Sequence, residues 1–405
     1  MQRLCRFVFA LGVCALMFGA SRPAAAQPGR GMMGNFDEPT INSKEIERYA
    51  EILRMSPDQV ENAKGMLEGF NTEFNSLRQE MRQAFESMRD EARDTGDNGV
   101  WRNAGTLMQT FQKKIEKAEK QYFDDMKLLL TDDQAARWPV VERARRREKS
   151  VPRGGLVSGE GVDLVRIVNE MKLTAEESQP VQPLLEQYEN DLDRALAERD
   201  KAYEEGMGQG ANLWFNQQMD KIDELFNKAR DAAAKVKDVN KRYARQIEGA
   251  LPEAYHAKFE SEVQKASFPR VYRPSYAARA ITAAEGITDL SDEQKTQLAQ
   301  IRDSFEKSLA PIQQKQADSI EQTEMNRTAM QMFGMGGGGN EGSAELRDLR
   351  REVEDGTYEK VRDLLTEEQR AKLPERPQRG DWRQLVPGGG NGGGGERPRR
   401  PGNAS

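Results

Sequence analysis

The sequence predicts an all-α protein: three tandem helical-hairpin units between disordered ends. Three observations carry that expectation. Apolar residues recur at alternating three- and four-residue steps, a helix-opening motif occurs three times at nearly constant spacing, and no run alternates with β-branched residues. The 405 residues are 32% charged and 37% hydrophobic. The mean hydropathy is −0.84. That is too polar for one large core, yet too rich in spaced Leu, Met and Phe for full disorder.

Residues 1–26 read as a secretory signal. Arg3 and Arg6 precede an apolar stretch from Phe7 to Ala20, and Ala24-Ala25-Ala26 offers a cleavage site before Gln27. The expected location is therefore periplasmic or secreted. No stretch suits a transmembrane segment. Cys5 and Cys14 both lie in the signal, so the mature chain carries no disulfide and holds together by packing or by homo-oligomer assembly. Loss of three Arg takes the charge from −6 to −9, which argues against a nucleic-acid partner. Residues 27–43 are Gly/Pro-rich and expected to be unordered.

The opening motif stands at Met55-Ser56-Pro57-Asp58-Gln59, Leu173-Thr174-Ala175-Glu176-Glu177 and Leu290-Ser291-Asp292-Glu293-Gln294. Its hydroxyls are 118 and 117 residues apart, and fourteen residues past each stands an aromatic: Phe70, Tyr188, Phe305. A closing motif reads Leu130-Thr131-Asp132-Asp133-Gln134, Leu251-Pro252-Glu253-Ala254-Tyr255 and Leu365-Thr366-Glu367-Glu368-Gln369. Ser or Thr followed three residues on by Gln or Glu is a capping box. The predicted capping residues are Ser56/Gln59, Thr131/Gln134, Thr174/Glu177, Ser291/Gln294 and Thr366/Gln369.

Between the motifs, Val60, Ala63, Leu67, Phe70, Phe74, Leu77, Met81 and Ala84 make a heptad seam. Leu107, Phe111, Ile115, Ala118, Tyr122 and Leu129 return along it. The second return runs through Ile222, Phe226, Ala229, Ala233, Val236, Tyr243 and Ile247, with Asn240 placed to fix register. Glycine-containing breaks are expected at Thr95–Gly99, Gly206–Gly210 and Gly334–Gly342. Pro180 and Pro183 fall in the first turns of the second long helix, where they break it or delay its start. Val151–Gly161 and Phe268–Pro274 read as linkers. The units are expected at residues 44–150, 160–270 and 275–374, and residues 375–405 as a disordered Pro/Gly/Arg-rich tail.

An all-helical exported unit with one L-[ST]-x-x-[QE] motif near its start and another near its end resembles the LTxxQ family of Spy/CpxP-type periplasmic chaperones; the middle unit departs from it, with Pro252 in place of a Thr. The resemblance rests on Leu130–Gln134 and Leu365–Gln369, with looser copies at Ser56, Thr174 and Ser291, and covers residues 44–374. It implies a bent four-helix hairpin per unit and a concave face that holds partly unfolded envelope proteins without ATP. The chain departs from the family in joining three units covalently, in its acidic body and in lacking His-rich metal sites. Candidate client contacts are Met66, Phe70, Phe74, Phe305, Met332 and Phe333, with hairpin packing as the competing role for each.

No catalytic residues, metal site or cofactor are expected. His256, in Glu253-x-x-His256, has no second histidine to complete a di-iron site. Asp94-Thr95-Gly96-Asp97-Asn98-Gly99 opens like a calcium loop but has Gly105 at position twelve. Met32, Met33, Met207, Met330, Met332 and Met335 have no His or Cys beside them for copper. The run Arg143, Arg145, Arg146, Arg147, Lys149, Arg153 complements a helix dipole or docks on an acidic neighbour. Arg379-Gly380-Asp381 matches an adhesion tripeptide only by letters. The alternative to a chaperone is a structural helical spacer or interaction protein of the cell envelope.

Overall fold

The computed structural model describes residues 39–96, 104–332 and 341–376. It is all-helical, with no strand among the described residues. No described helix is long and apolar enough to cross a membrane. The expected signal at 1–26, the calls at Met32, Met33, Phe333, Met335, Asp97–Gly99 and Gly334–Asn340, and all but the first two residues of the expected tail lie outside the described residues.

Sixteen described α-helices follow one another. The first group is α1 (Ser43–Leu53), α2 (Pro57–Thr95), α3 (Ala104–Lys127), α4 (Asp132–Ala135) and α5 (Trp138–Ser150). Next come α6 (Leu164–Met171), α7 (Ala175–Ser178), α8 (Gln182–Phe215), α9 (Met219–Ala250), α10 (Glu253–Ser267) and α11 (Pro269–Tyr272). The last are α12 (Tyr276–Glu285), α13 (Asp292–Glu324), α14 (Ala329–Met332), α15 (Glu341–Leu364) and α16 (Glu367–Arg370).

Long helices pair antiparallel: α2 with α3, α8 with α9, and α13 with α15. Tyr122 donates to the Ala63 carbonyl at 3.0 Å while Lys114 meets Glu80 at 2.9 Å, which fixes the direction of the first pair. Three large apolar clusters fill the pairs. The first joins the α2–α3 seam to α1 and α5 through Tyr49, Phe123 and Trp138. The second surrounds Tyr188, Val236 and Phe259, and the third Phe305, Leu309 and Val361. Of the first seam, Ala63 through Met81 are buried; of the second return, all seven residues and Asn240 are.

Four expectations need correction. The helix α8 runs through Gly206–Gly210 instead of breaking there. The reversal comes at residues 216–218, where Gln217 takes a left-handed φ of 56°. Glycine weakens a helix by only about 1 kcal/mol, which tertiary packing overrides. A Cβ on Gly208 would stand 2.8 Å from Gln109 Nε2 of α3, so this stretch is a close-approach surface. Second, residues 39–43 are ordered: Ile41 is buried in the first cluster, and Asn42 caps α1 with Glu45 in a capping box. Third, α15 already begins at Glu341, so Gly342 of the expected break lies within a helix; α13 ends at Glu324 and a short α14 follows. Fourth, Arg376 does not belong to a free tail: it pairs with Asp355 at 2.7 Å and Glu359 at 2.9 Å.

Pro180 and Pro183 do break the second long helix. The capping box of Thr174 supports one turn, α7, and α8 restarts at Gln182 with Pro183 in its first turn, where a missing N–H costs nothing.

Candidate functional site

The opening and closing motifs meet in space. Ser56, Thr131, Thr174, Ser291 and Thr366 each accept from the backbone N–H three residues on, and Gln59, Gln134, Glu177, Gln294 and Gln369 each accept from the cap N–H in return. These boxes satisfy orphan helix donors. The glutamine amides then do a second job. Gln59 Nε2 donates to Gln134 Oε1 at 2.9 Å, and Gln134 Nε2 donates back to Gln59 Oε1 at 3.0 Å. Gln134 Nε2 also reaches the Arg54 carbonyl at 2.8 Å. The third pair repeats this: Gln294 Nε2 donates to Gln369 Oε1 and to the Leu364 carbonyl, both at 3.0 Å, and Gln369 Nε2 donates to the Asp289 carbonyl at 3.2 Å. In the middle copy Tyr255 stands where the closing Gln would be, and its hydroxyl donates to the Glu177 carboxylate at 3.3 Å. The hydrogen bonds from Thr174 hold the Glu177 carboxyl below its usual range.

A second constellation joins the helix pairs. The segment read as a linker, 151–161, connects α5 to α6 and carries buried polar groups, Ser158 and Glu160, beside buried Val151 and Val157. Glu160 is fully buried, and one carboxylate oxygen accepts from the backbone N–H groups of Gly155 at 2.8 Å, Leu156 at 3.0 Å and Val157 at 3.4 Å. The other accepts from Arg199 Nη1 at 3.0 Å and the Tyr203 hydroxyl at 2.5 Å. Arg199, also fully buried, reaches Asp200 and the Ser150 carbonyl as well. Burial, reinforced by Glu160, drives the Tyr203 phenol far above its ordinary range. On the other side, Asn240 donates to the Gly159 carbonyl at 2.8 Å and accepts from Tyr188 at 2.9 Å. A buried charge is stable only when paired and hydrogen-bonded, and here both conditions hold.

Both expected roles of the basic run are filled: Arg147 and Lys149 stand in the last turn of α5, and the run also docks on acidic neighbours. Arg145 and Lys149 pair with Glu119 of α3, Arg146 with Asp193 of α8 at 2.7 Å, and Arg147 with Glu189 and Asp163. Burial lowers the Lys149 ammonium from its usual value despite Glu119 beside it.

The candidate contact residues separate. Phe70, Phe74 and Phe305 are 5%, 0% and 5% exposed, so they belong to the pair interiors. Met66 is half-buried beside the first cluster. Met332 ends α14. Among the described residues the exposed large hydrophobics are Leu128, Met325 and Leu349. His256 Nε2 lies 2.9 Å from the Leu251 carbonyl oxygen. Among the described residues no cluster of His, Cys, Asp and Glu is arranged to hold a metal.

Sequence reasoning missed Glu160, Arg199 and Glu324. A signal existed for one of them: Arg199 falls in the stripe Leu192, Leu196, Arg199, Tyr203, where a charge breaks an apolar seam. Glu160 carries only its glycine neighbours as a hint, and Glu324 none.

No family model matches the chain, nor does any curated protein or solved structure.

Proposed function

We propose that the chain is an exported, ATP-independent chaperone-like or envelope-stress protein. It is built of three tandem Spy/CpxP-like units, residues 44–150, 160–270 and 275–374, each a bent four-helix hairpin, and binds partly unfolded proteins on its helical surfaces. The observation that supports this most is the meeting of paired motifs. Gln59 with Gln134, and Gln294 with Gln369, are each 75 residues apart and make the same kind of contact. Tyr255 and Glu177 occupy the same place in the middle copy. Closely matched geometry at corresponding positions is what duplicated LTxxQ-type units would produce. The test is fluorescence anisotropy of labelled, reduced and carboxymethylated α-lactalbumin, a permanently unfolded probe, with the mature chain. Saturable binding at micromolar concentration, competed by unlabelled probe, supports the reading. No binding at low or moderate salt sinks it.

One observation favours a second reading, a structural helical spacer of the envelope. Phe70, Phe74 and Phe305 are used up in packing, and ion pairs tie neighbouring groups of helices together, Arg147 of α5 with Glu189 of α8 and Lys237 of α9 with Glu324 of α13. Removing residues 377–405 separates the two. A spacer docked through its Arg-rich tail loses envelope localisation, while a chaperone keeps its binding of the unfolded probe.

A further inference from the structure

The chain that leaves α13 crosses the tip of the second helix pair. Glu324, the last residue of α13, is 2% exposed. Its carboxylate accepts from the Ser158 backbone N–H at 2.7 Å, the Ser158 hydroxyl at 3.0 Å and Lys237 Nζ at 2.7 Å. Three residues later the Arg327 carbonyl accepts from Arg230 Nη1 at 2.8 Å. The Ala329 N–H then donates to Asp223 Oδ1 at 3.0 Å. Thr328 and Gln331 cap the short α14 reciprocally, at 3.1 and 3.3 Å. Under this crossing lies an apolar surface. Ala329 is fully buried against Ile222 and Phe226, with Leu156, Leu213 and Met219 half-buried around them.

We propose that residues 325–332 form a strap over a docking surface made by Leu213, Met219, Ile222 and Phe226, which takes apolar segments of partly unfolded proteins when the strap lifts. This rests on the protein-binding reading above. The strap's build suits a removable cover. Ala329, its buried apolar contact, is one small side chain set over an isoleucine and a phenylalanine. Its other contacts on α9 are polar, and polar contacts are readily exchanged for water, so each contributes little net. The surface is also ringed by charge in the manner of an interface with a polar rim. Five acids, Glu198, Asp220, Asp223, Glu224 and Asp231, line an open groove beside the same helix together with Lys228 and Lys235, which leaves it net acidic. That acidic rim selects apolar segments flanked by Lys or Arg. With so few large apolar side chains exposed elsewhere on the described surface, a protein-binding site of useful apolar area has to be uncovered.

The experiment uses the mature chain and its Asp223→Ala and Glu324→Gln variants. The first removes one strap contact and leaves the Glu324 anchor intact; the second weakens the anchor. Far-UV circular dichroism checks that each variant keeps its helix content. Two signals are read: bis-ANS fluorescence, and light scattering of reduced α-lactalbumin as it aggregates. Asp223→Ala is expected to raise bis-ANS fluorescence at least twofold and to halve the amount of protein needed for half-suppression of scattering. Adding Phe226→Ser should abolish both gains. Unchanged dye binding in both folded variants, or a gain that survives Phe226→Ser, overturns the strap. A dye gain that Phe226→Ser cancels, without suppression by any variant, supports the covered apolar surface and overturns the chaperone reading.

Discussion

Glu160→Ala is predicted to be among the most damaging single substitutions in the chain. The carboxylate is fully buried and serves five donors: three backbone N–H groups of the 155–157 loop, Arg199 and Tyr203. Its removal strands the Arg199 guanidinium, although Asp200 and the Ser150 carbonyl still hold part of it. Breaking one side of a buried pair costs about 3–5 kcal/mol, and the retained Asp200 places this case near the lower end of that range. The orphaned loop N–H groups each add about 1–3 kcal/mol unless water reaches them. With water in the vacated space satisfying all but about one of these N–H groups, the expected loss is about 4 kcal/mol. Glu160→Gln keeps the shape and an acceptor and should lose about 1–3 kcal/mol, the difference that charge makes to such bonds. Adding Arg199→Met to Glu160→Ala should recover about 1–2 kcal/mol by removing the stranded cation. Urea unfolding followed by circular dichroism at 222 nm reads all three. A loss under about 1 kcal/mol for Glu160→Ala would refute the reasoning, because a buried guanidinium stripped of its buried partner cannot be that cheap.

Other outcomes follow from the same physics. Gln134→Ala should destabilise by about 1–2 kcal/mol in urea unfolding, since it removes both the side-chain acceptor of the Thr131 cap N–H and the cross-link to Gln59. In the Gln59→Ala background the same change should cost less, and strict additivity would contradict a shared contact. Gly154→Ala should cost about 1–3 kcal/mol by overpacking, because its Cβ would meet Glu160 Cγ at 2.9 Å. Burial raises the Tyr122, Tyr188 and Tyr203 phenols above their usual value near 10. A raised folded value means their stabilisation is whole below pH 10 and is lost as pH rises past it, by about 1.4 kcal/mol per pH unit for each tyrosine. Urea midpoints at pH 9, 10.5 and 11.5 should fall accordingly, and Tyr188→Phe should flatten the slope.

The fold was legible where periodicity and caps decide it. The 3-4-3-4 spacing of Ala63 to Met81 located a buried seam, and the Ser56, Thr131, Thr174, Ser291 and Thr366 motifs located helix starts, because both depend on residues close in sequence. Glycine was a poorer guide. Gly206–Gly210 looked like a turn, but the helix passes through, since local propensity is weak beside packing against α3. The polar interior was illegible for a different reason. Glu160 meets Arg199 across 39 residues and Ser158 meets Glu324 across 166, and nothing local to any of these residues announces its partner. The seam aromatics carried both a packing and a binding role in the sequence; burial assigns Phe70, Phe74 and Phe305 to packing.

The most direct test of the account is aggregation of reduced α-lactalbumin, followed by light scattering, with the purified mature chain added at increasing ratio. The account predicts suppression near stoichiometric amounts, without ATP, and unmatched by an inert helical protein of similar charge. Scattering curves that stay unchanged up to a severalfold molar excess, at low and moderate salt alike, would contradict it and leave the helical spacer as the reading of this chain.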